Sequence, residues 1–277
     1  MTARRVVSLL CAAVCATALV GCGGDTLSFD PVAQAASQTA KSESSRVAFS
    51  ANVQIDGVGG MSMSGSGVFD GRARSGAMNM RFALPGGMAS MFGGADPSME
   101  MIVDGRKGLV MYMRSPLFKT MAGTRWLKLD MAKLAQKQGF DLNSMMNANQ
   151  ADPSQSLHML MASSDAHAIG YDRVRGVFTT HYTLKVDLAR LAKGNDEYDE
   201  MVEQLKQMSG ATSFPAEAWI DDKGRVRRMK IDMSLNSPTG GAVTMSMTMD
   251  LYAFGIKVDV PPPAASDVVD LSTLLGG

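Results

Sequence analysis

Histidine, cysteine and the larger aromatics are scarce in this chain of 277 residues, which has 3 His, 3 Cys, 2 Trp and 5 Tyr. His158, His167 and His181 do not have the spacing of metal ligands, so no metal site is expected. An excess of one charge is lacking too. Lys and Arg number 27 and so do Asp and Glu, which removes the basic footprint of a nucleic-acid binder. There is no Gly-x-Ser-x-Gly elbow and no phosphate loop, and Gly57-Val58-Gly59 lacks the third glycine of a dinucleotide site. Asp221-Asp222 pairs two carboxylates but has the residue types of a hairpin turn. Neither an enzyme nor a cofactor is expected.

Long apolar runs are confined to the start of the chain. Arg4 and Arg5 precede the apolar stretch Val6 to Val20, which is shorter than the roughly 20 residues that span a bilayer and reads as a signal peptide. The twin arginines suit Sec or Tat export. The stretch ends in Leu19-Val20-Gly21-Cys22, the pattern of a bacterial lipoprotein box, so residues 1–21 read as the signal and Cys22 as the lipidated residue. Cys11 and Cys15 leave with the signal, and Cys22 remains without a disulfide partner. A diacylglyceryl group, with acyl chains such as palmitate, passes the two-chain threshold for stable anchoring. The expected location is the outer face of the cell membrane, with residues 22–29 as tether and 30–277 as a single domain.

Methionine is the abundant residue, at 24. Asp30-Pro31 opens a helix with an N-cap and a proline at the first position. From Arg46 the period is two, with Val47, Phe49, Ala51, Val53 and Ile55 alternating with polar neighbours. The same alternation returns as Met61 and Met63; Met78, Met80 and Phe82; Met99, Met101 and Val103; Met111 and Met113; Met229, Ile231, Met233 and Leu235; and Met245, Met247, Met249 and Leu251. Asp56-Gly57, Asp70-Gly71, Asp104-Gly105 and Asp222-Lys223-Gly224 supply turns. Helices are expected after Asp152-Pro153 and from about Asp196 to Met208, with strand pattern from Arg175 to Val186. The fold class is α+β: a curved antiparallel sheet, or half-barrel, whose concave apolar face is covered by helices.

Several motifs together resemble the actinobacterial LppX/LprA/LprF/LprG lipoproteins, whose fold is similar to that of the LolA and LolB carriers. They are the lipobox, the helix from Asp30 leading into Val47-Ala48-Phe49-Ser50, and Trp126-Leu127-Lys128-Leu129-Asp130. Val174-Arg175-Gly176-Val177-Phe178-Thr179-Thr180-His181-Tyr182, the run Glu217 to Arg227, and the ending Val260 to Leu275 complete the set. The resemblance implies a LolA-like half-barrel that binds lipids or lipidated glycans and moves them across the envelope. Its implied partners are a lipid or glycolipid, the membrane through Cys22 and an envelope transport partner, with the protein itself a monomer.

Periodicity, not the resemblance, selects the lining. Val53, Ile55, Met61, Met63, Met78, Met80, Phe82, Met99, Met101, Met111, Met113, Met233, Met245 and Met247 are the candidate cavity residues. Met88, Met91 and Phe92, in the apolar loop Pro85 to Pro97, are a candidate entrance. Methionine suits a surface that adapts to varied apolar partners. Two other readings use the same residues: a filled scaffold that acts through a protein partner, and a Cu(I) site of soft thioethers. Arg225, Arg227, Arg228 and Lys230 form a basic cluster, a solvated hairpin or a contact for anionic headgroups.

Overall fold

The computed structural model describes residues 30–42, 44–57, 59–85, 97–106, 108–123, 125–131, 133, 153–193, 196–236 and 241–271. Cys22 and the candidate entrance Met88, Met91 and Phe92 lie outside them.

Helix α1 (Pro31–Ala40) starts as its residues dictate. The Asp30 carboxylate accepts from the Val32 and Ala33 backbone N–H groups at 2.9 and 3.0 Å, and Val32, Ala35, Ala36 and Thr39 form the buried stripe. Strands β1 (Ser44–Ile55), β2 (Gly59–Asp70), β3 (Ser75–Ala83), β4 (Ser98–Asp104), β5 (Val110–Arg114) and β6 (Trp126–Asp130) follow, with a short helix α2 (Lys119–Ala122) between the last two. Helix α3 (Pro153–Met161) leads to the hairpin β7 (Ser163–Val174) and β8 (Val177–Asp187). Helices α4 (Leu188–Ala192) and α5 (Asp196–Ser209) precede β9 (Ser213–Asp221), β10 (Val226–Asn236) and β11 (Ala242–Tyr252). A short β12 (Val268–Asp270) ends the described chain.

All twelve strands form one curved, unclosed sheet in the order β12-β6-β5-β4-β3-β2-β1-β11-β10-β9-β8-β7. Two meanders are therefore stitched together by β1, which pairs with β2 on one side and β11 on the other. Each pairing is antiparallel except β12 with β6, which is parallel.

Two features differ from the expectation. Strand pattern was expected to begin at Arg175, but Arg175-Gly176 is the turn of a hairpin whose first strand, β7, starts at Ser163. This edge strand is exposed over most of its length, so it carries no apolar alternation to read. The final segment adds a strand parallel to β6, which a meander would not produce.

The main core lies between α1, α3, α4 and α5 and one face of β1 and β8–β11. Leu157, Leu160, Leu188, Leu191 and Val202 from the helices meet Val47, Leu184, Val186, Met229, Ile231 and Leu251 from the strands. We call this side of the sheet the inner face. The buried Thr39 hydroxyl donates to the Ala35 carbonyl and accepts from the Val226 N–H at 2.9 Å. That bond satisfies a backbone donor beside the register shift between Val226 and Arg228, a β-bulge.

The β9–β10 turn is closed by Asp221, whose side chain is 0% exposed. One carboxylate oxygen accepts from the Lys223 and Arg225 N–H groups. The other accepts from the Arg225 and Arg227 guanidiniums at 2.9 and 2.7 Å. Burial alone would raise this carboxyl's pKa. The hydrogen bonds from Arg225 and Arg227 outweigh burial and hold it below the usual carboxylate range.

Asp221→Ala is expected to cost about 3 kcal/mol at pH 7, because it strands two guanidiniums. A depressed pKa contributes stability that is complete above the unfolded-chain value, about 3.9, and lost as pH falls through the folded value. Urea unfolding should thus show a gap between wild type and variant that is constant above about pH 4 and narrows progressively as pH falls below it; a gap that does not narrow would mean that the carboxylate's charge is not what stabilises the turn.

Candidate functional site

Residues directly opposite in an antiparallel pair project to the same side of a sheet, so the register settles which side chains share the inner face. One row across the sheet reads Met113, Met101, Met78, Gly67, Val47, Leu251. The next reads Met99, Met80, Gly65, Phe49, Met249, Met229, Ala218. Phe82, Met63, Ala51, Met247, Ile231 and Ala216 follow, then Met61, Val53, Met245 and Met233. The last row holds Gly59, Ile55, Val243 and Leu235. Met111 opposes Val103 beside the first row. Every candidate lining residue from Val53 to Met247 thus falls on one face.

Burial on that face is graded in two directions. Along the strands, Val47, Leu251 and Met229 are at most 2% exposed, whereas Ile55, Val243, Leu235, Met61, Val53, Met245 and Met233 are only half-buried. The face is therefore sealed at the end carrying the Asp70–Ser75 and Asp221–Val226 turns and open at the end where β1 gives way to β2. Across the strands, the helices seal the β8–β11 side. On the β2–β6 side a smaller cluster of Met101, Val103, Leu109 and Met131 is buried, with Met78, Met80, Met111 and Met113 half-buried around it.

A small cleft of about 10 Å³ lies between these two halves, lined by Val47, Gly67, Phe69, Gly76, Met78, Met101 and Val103 among others. Ligand pockets are usually about 300–1,000 Å³, so the described residues pack too closely here to leave a ready-made cavity. Glycines 67 and 76 are part of its lining. A Cβ on Gly67 would meet the Ala77 carbonyl oxygen, and one on Gly65 would meet the ring of Phe49 and the Asn79 carbonyl oxygen. Glycine inside a strand marks such a close approach or a bend. The sequence signal was Ser64-Gly65-Ser66-Gly67, readable as a strand of small residues but not as a cleft lining.

The thioethers share these rows with Val47, Phe49, Ile231 and Val53, and three of them, Met113, Met101 and Met78, are consecutive neighbours in the first row. His167 and His181 pair with Thr183 and Trp219 on the opposite, outer face, and His158 is exposed on α3. Among the described residues no three His, Cys, Asp or Glu side chains gather in a metal-binding group.

The outer face is charged and largely self-paired. Arg228 and Arg175 share Asp250 at 2.6 and 2.9 Å, and the hydrogen bond to Asp250 raises the Arg228 pKa. Lys230 bridges Glu217 and Asp232, and His181 stacks on Trp219 with ring centroids 4.1 Å apart. Each member of the basic cluster Arg225, Arg227, Arg228 and Lys230 thus has a carboxylate partner in place, with Asp221 and Asp250 each shared by two guanidiniums.

One feature escaped the sequence reading. Ile169, Tyr171 and Phe178, at 56%, 73% and 54% exposure, form an apolar patch on the β7–β8 edge, with Tyr171 stacked on Phe178 at 5.4 Å.

No family model matches the chain. It is 26% identical over 220 residues to an uncharacterized 31.2 kDa protein of the rplA–rplJ intergenic region in Streptomyces griseus, spanning 73% of this chain and 70% of that one. Among solved structures it is similar to LprF from Mycobacterium bovis, at 17% identity and a TM-score of 0.47, over 85% of this chain and 96% of that chain. It is also similar to the lipoprotein LppX from Mycobacterium tuberculosis, at 15% identity and a TM-score of 0.45, over 83% and 96%. LprF and LppX are among the lipoproteins that the sequence motifs resemble.

The glycine strip predicts two losses. Overpacking costs about 1–3 kcal/mol; in Gly67→Ala the Ala77 carbonyl must move, and in Gly65→Ala both the Phe49 ring and the Asn79 carbonyl must. Thermal unfolding of both variants checks this, and unchanged melting temperatures would show that the backbone there is free to relax.

Proposed function

We propose that this protein is a lipoprotein, attached through Cys22 to the outer face of the cell membrane, that holds acyl chains of a lipid or lipidated glycan on its inner methionine face and carries them across the envelope. The observation that carries the reading is the face of opposed apolar side chains from β5 to β10, interrupted on β2 at Gly65 and Gly67, sealed at one end and half-buried at the other. Each methylene taken out of water contributes about 0.8 kcal/mol, so chains of lipid length need no polar recognition. Methionine has three rotatable bonds and a polarisable sulfur, and such a face can part and re-pack around a chain that the resting cleft does not yet accommodate. The chemistry is binding and release, with no reacting group.

The exposed Ile169, Tyr171 and Phe178 favour a second reading, in which the chain is a scaffold that docks a protein partner. Native mass spectrometry of the chain from Gly23, expressed in a lipid-containing host, separates the two. A stoichiometric adduct removed by organic solvent is expected. A clean mass with no uptake of added lipid would leave the scaffold. Met233→Gln with Met245→Gln, opposed and half-buried at the open end, should weaken lipid binding by about tenfold or more, about 1.4 kcal/mol, with little change in melting temperature. Retained affinity would remove these residues from the lining.

A further inference from the structure

The smaller half of the inner face, on β3–β6, is built from methionine to a degree that the larger half is not. Six of the nine residues in its cluster are Met78, Met80, Met101, Met111, Met113 and Met131, whereas the cluster beneath the helices is mainly Ala, Leu and Val. Packing alone gives no reason for this choice. Strands favour β-branched and aromatic residues, and a core that needs one shape takes side chains with well-defined rotamers. What methionine adds is sulfur.

The register brings three of those sulfur-bearing side chains side by side. Met113, Met101 and Met78 are consecutive across β5, β4 and β3. Directly opposed residues have Cβ atoms about 4.5–5.5 Å apart, and each thioether sulfur lies two bonds beyond its Cβ on a flexible chain. The outer two sulfurs can therefore lean inward to meet the third at one point above Met101. Met101 is 7% exposed, while Met78 and Met113 are half-buried, so an ion can reach that point without the strands parting.

The small cleft adjoins the same row. Met78 and Met101 line it, and Gly67 and Gly76 leave it clear of side chains on the β2 and β3 side. Its volume of about 10 Å³ is room for about one water-sized body. A buried water needs two to four polar partners, and this lining is mostly carbon and sulfur. An acyl chain is far too large for it. One soft ion suits both its size and its chemistry.

We propose that Met78, Met101 and Met113 form a three-sulfur site for Cu(I). Thioethers are soft donors that select Cu(I). They bring no charge, and burying a charge is costly, so the site takes a singly charged ion in preference to Cu(II) or Zn(II). It needs none of the histidines, which lie on the outer face and on α3. It is also separate from Met233 and Met245 at the open end, and it stands whether or not the face holds lipid.

The test is calorimetric titration of the full chain, as its host processes it, with the acetonitrile complex of Cu(I) under argon. Iodoacetamide first blocks whatever cysteine thiol the chain retains. About one equivalent should bind, and Zn(II) should give no heat. Met78→Leu with Met101→Leu and Met113→Leu keeps the volume of the cluster, an exchange that cores tolerate well, and should weaken Cu(I) binding at least tenfold. Met233→Leu with Met245→Leu should bind as the wild type does. X-ray absorption of the Cu(I)-loaded chain should show sulfur neighbours alone. Absence of Cu(I) binding, equal affinity in the triple variant, or nitrogen and oxygen neighbours at the copper would overturn the site. If the triple variant does not fold, Met113→Leu at the half-buried edge takes its place, and an affinity unchanged by it would overturn the site equally. Lipid uptake measured on the same variants keeps this proposal apart from the carrier reading, because either can fail while the other holds.

Discussion

Pairing of β1 with β11, unbroken from Arg46–Tyr252 to Ile55–Val243, is the constraint on which the rest depends. It joins two meanders that would otherwise be separate sheets, and it does so in a register that puts Phe49 opposite Met249 and Val53 opposite Met245. Side chains alternate with a period of two, so a slip of one residue would turn one meander's apolar set outward while leaving the other in place. The methionines of β2–β5 and those of β10–β11 form one surface only because this central register agrees with those on either side.

Given that surface, the helices divide it. Those packed on β8–β11 bury Met229, Ile231 and Leu251 completely, and the rotamer-rich methionine at position 229 has no freedom left. The same residue type at 61, 233 and 245 is half-buried. Methionine serves two ends here. In the sealed half it fills irregular space, and in the open half it stays partly exposed and keeps its flexibility. Stability concentrated in one part of a molecule allows another part to move at low cost, and on β10 the boundary between the two falls between Met229 and Met233.

Most of this was legible from period alone. Alternation located β1–β5, β10 and β11 and predicted which side chains face one way, because a half-buried strand must alternate. Capping chemistry located α1, since Asp30 followed by Pro31 leaves little else for the chain to do. What escaped had no local signal. Edge strand β7 is exposed over most of its length, so nothing in Ser163–Val174 needed to alternate. The pairing of β1 with β11 joins residues nearly two hundred positions apart, and composition does not encode partners. The charges of Arg225, Arg227 and Arg228 looked free in one dimension and prove to be matched by Asp221 and Asp250, which only the hairpin and the neighbouring strand bring near.

That matching shapes the molecule's choice of partner. Buried or half-buried ion pairs contribute little net stability, but breaking one is costly, so Asp221 and Asp250 hold their guanidiniums in place. On the proposed function, recognition falls to apolar contact at short range. A surface of that kind would discriminate poorly between acyl chains and well between acyl chains and water. Selectivity among lipids would have to come from what the rim of the face excludes, and at the open end that rim is apolar, formed by Ile55, Val243 and Leu235.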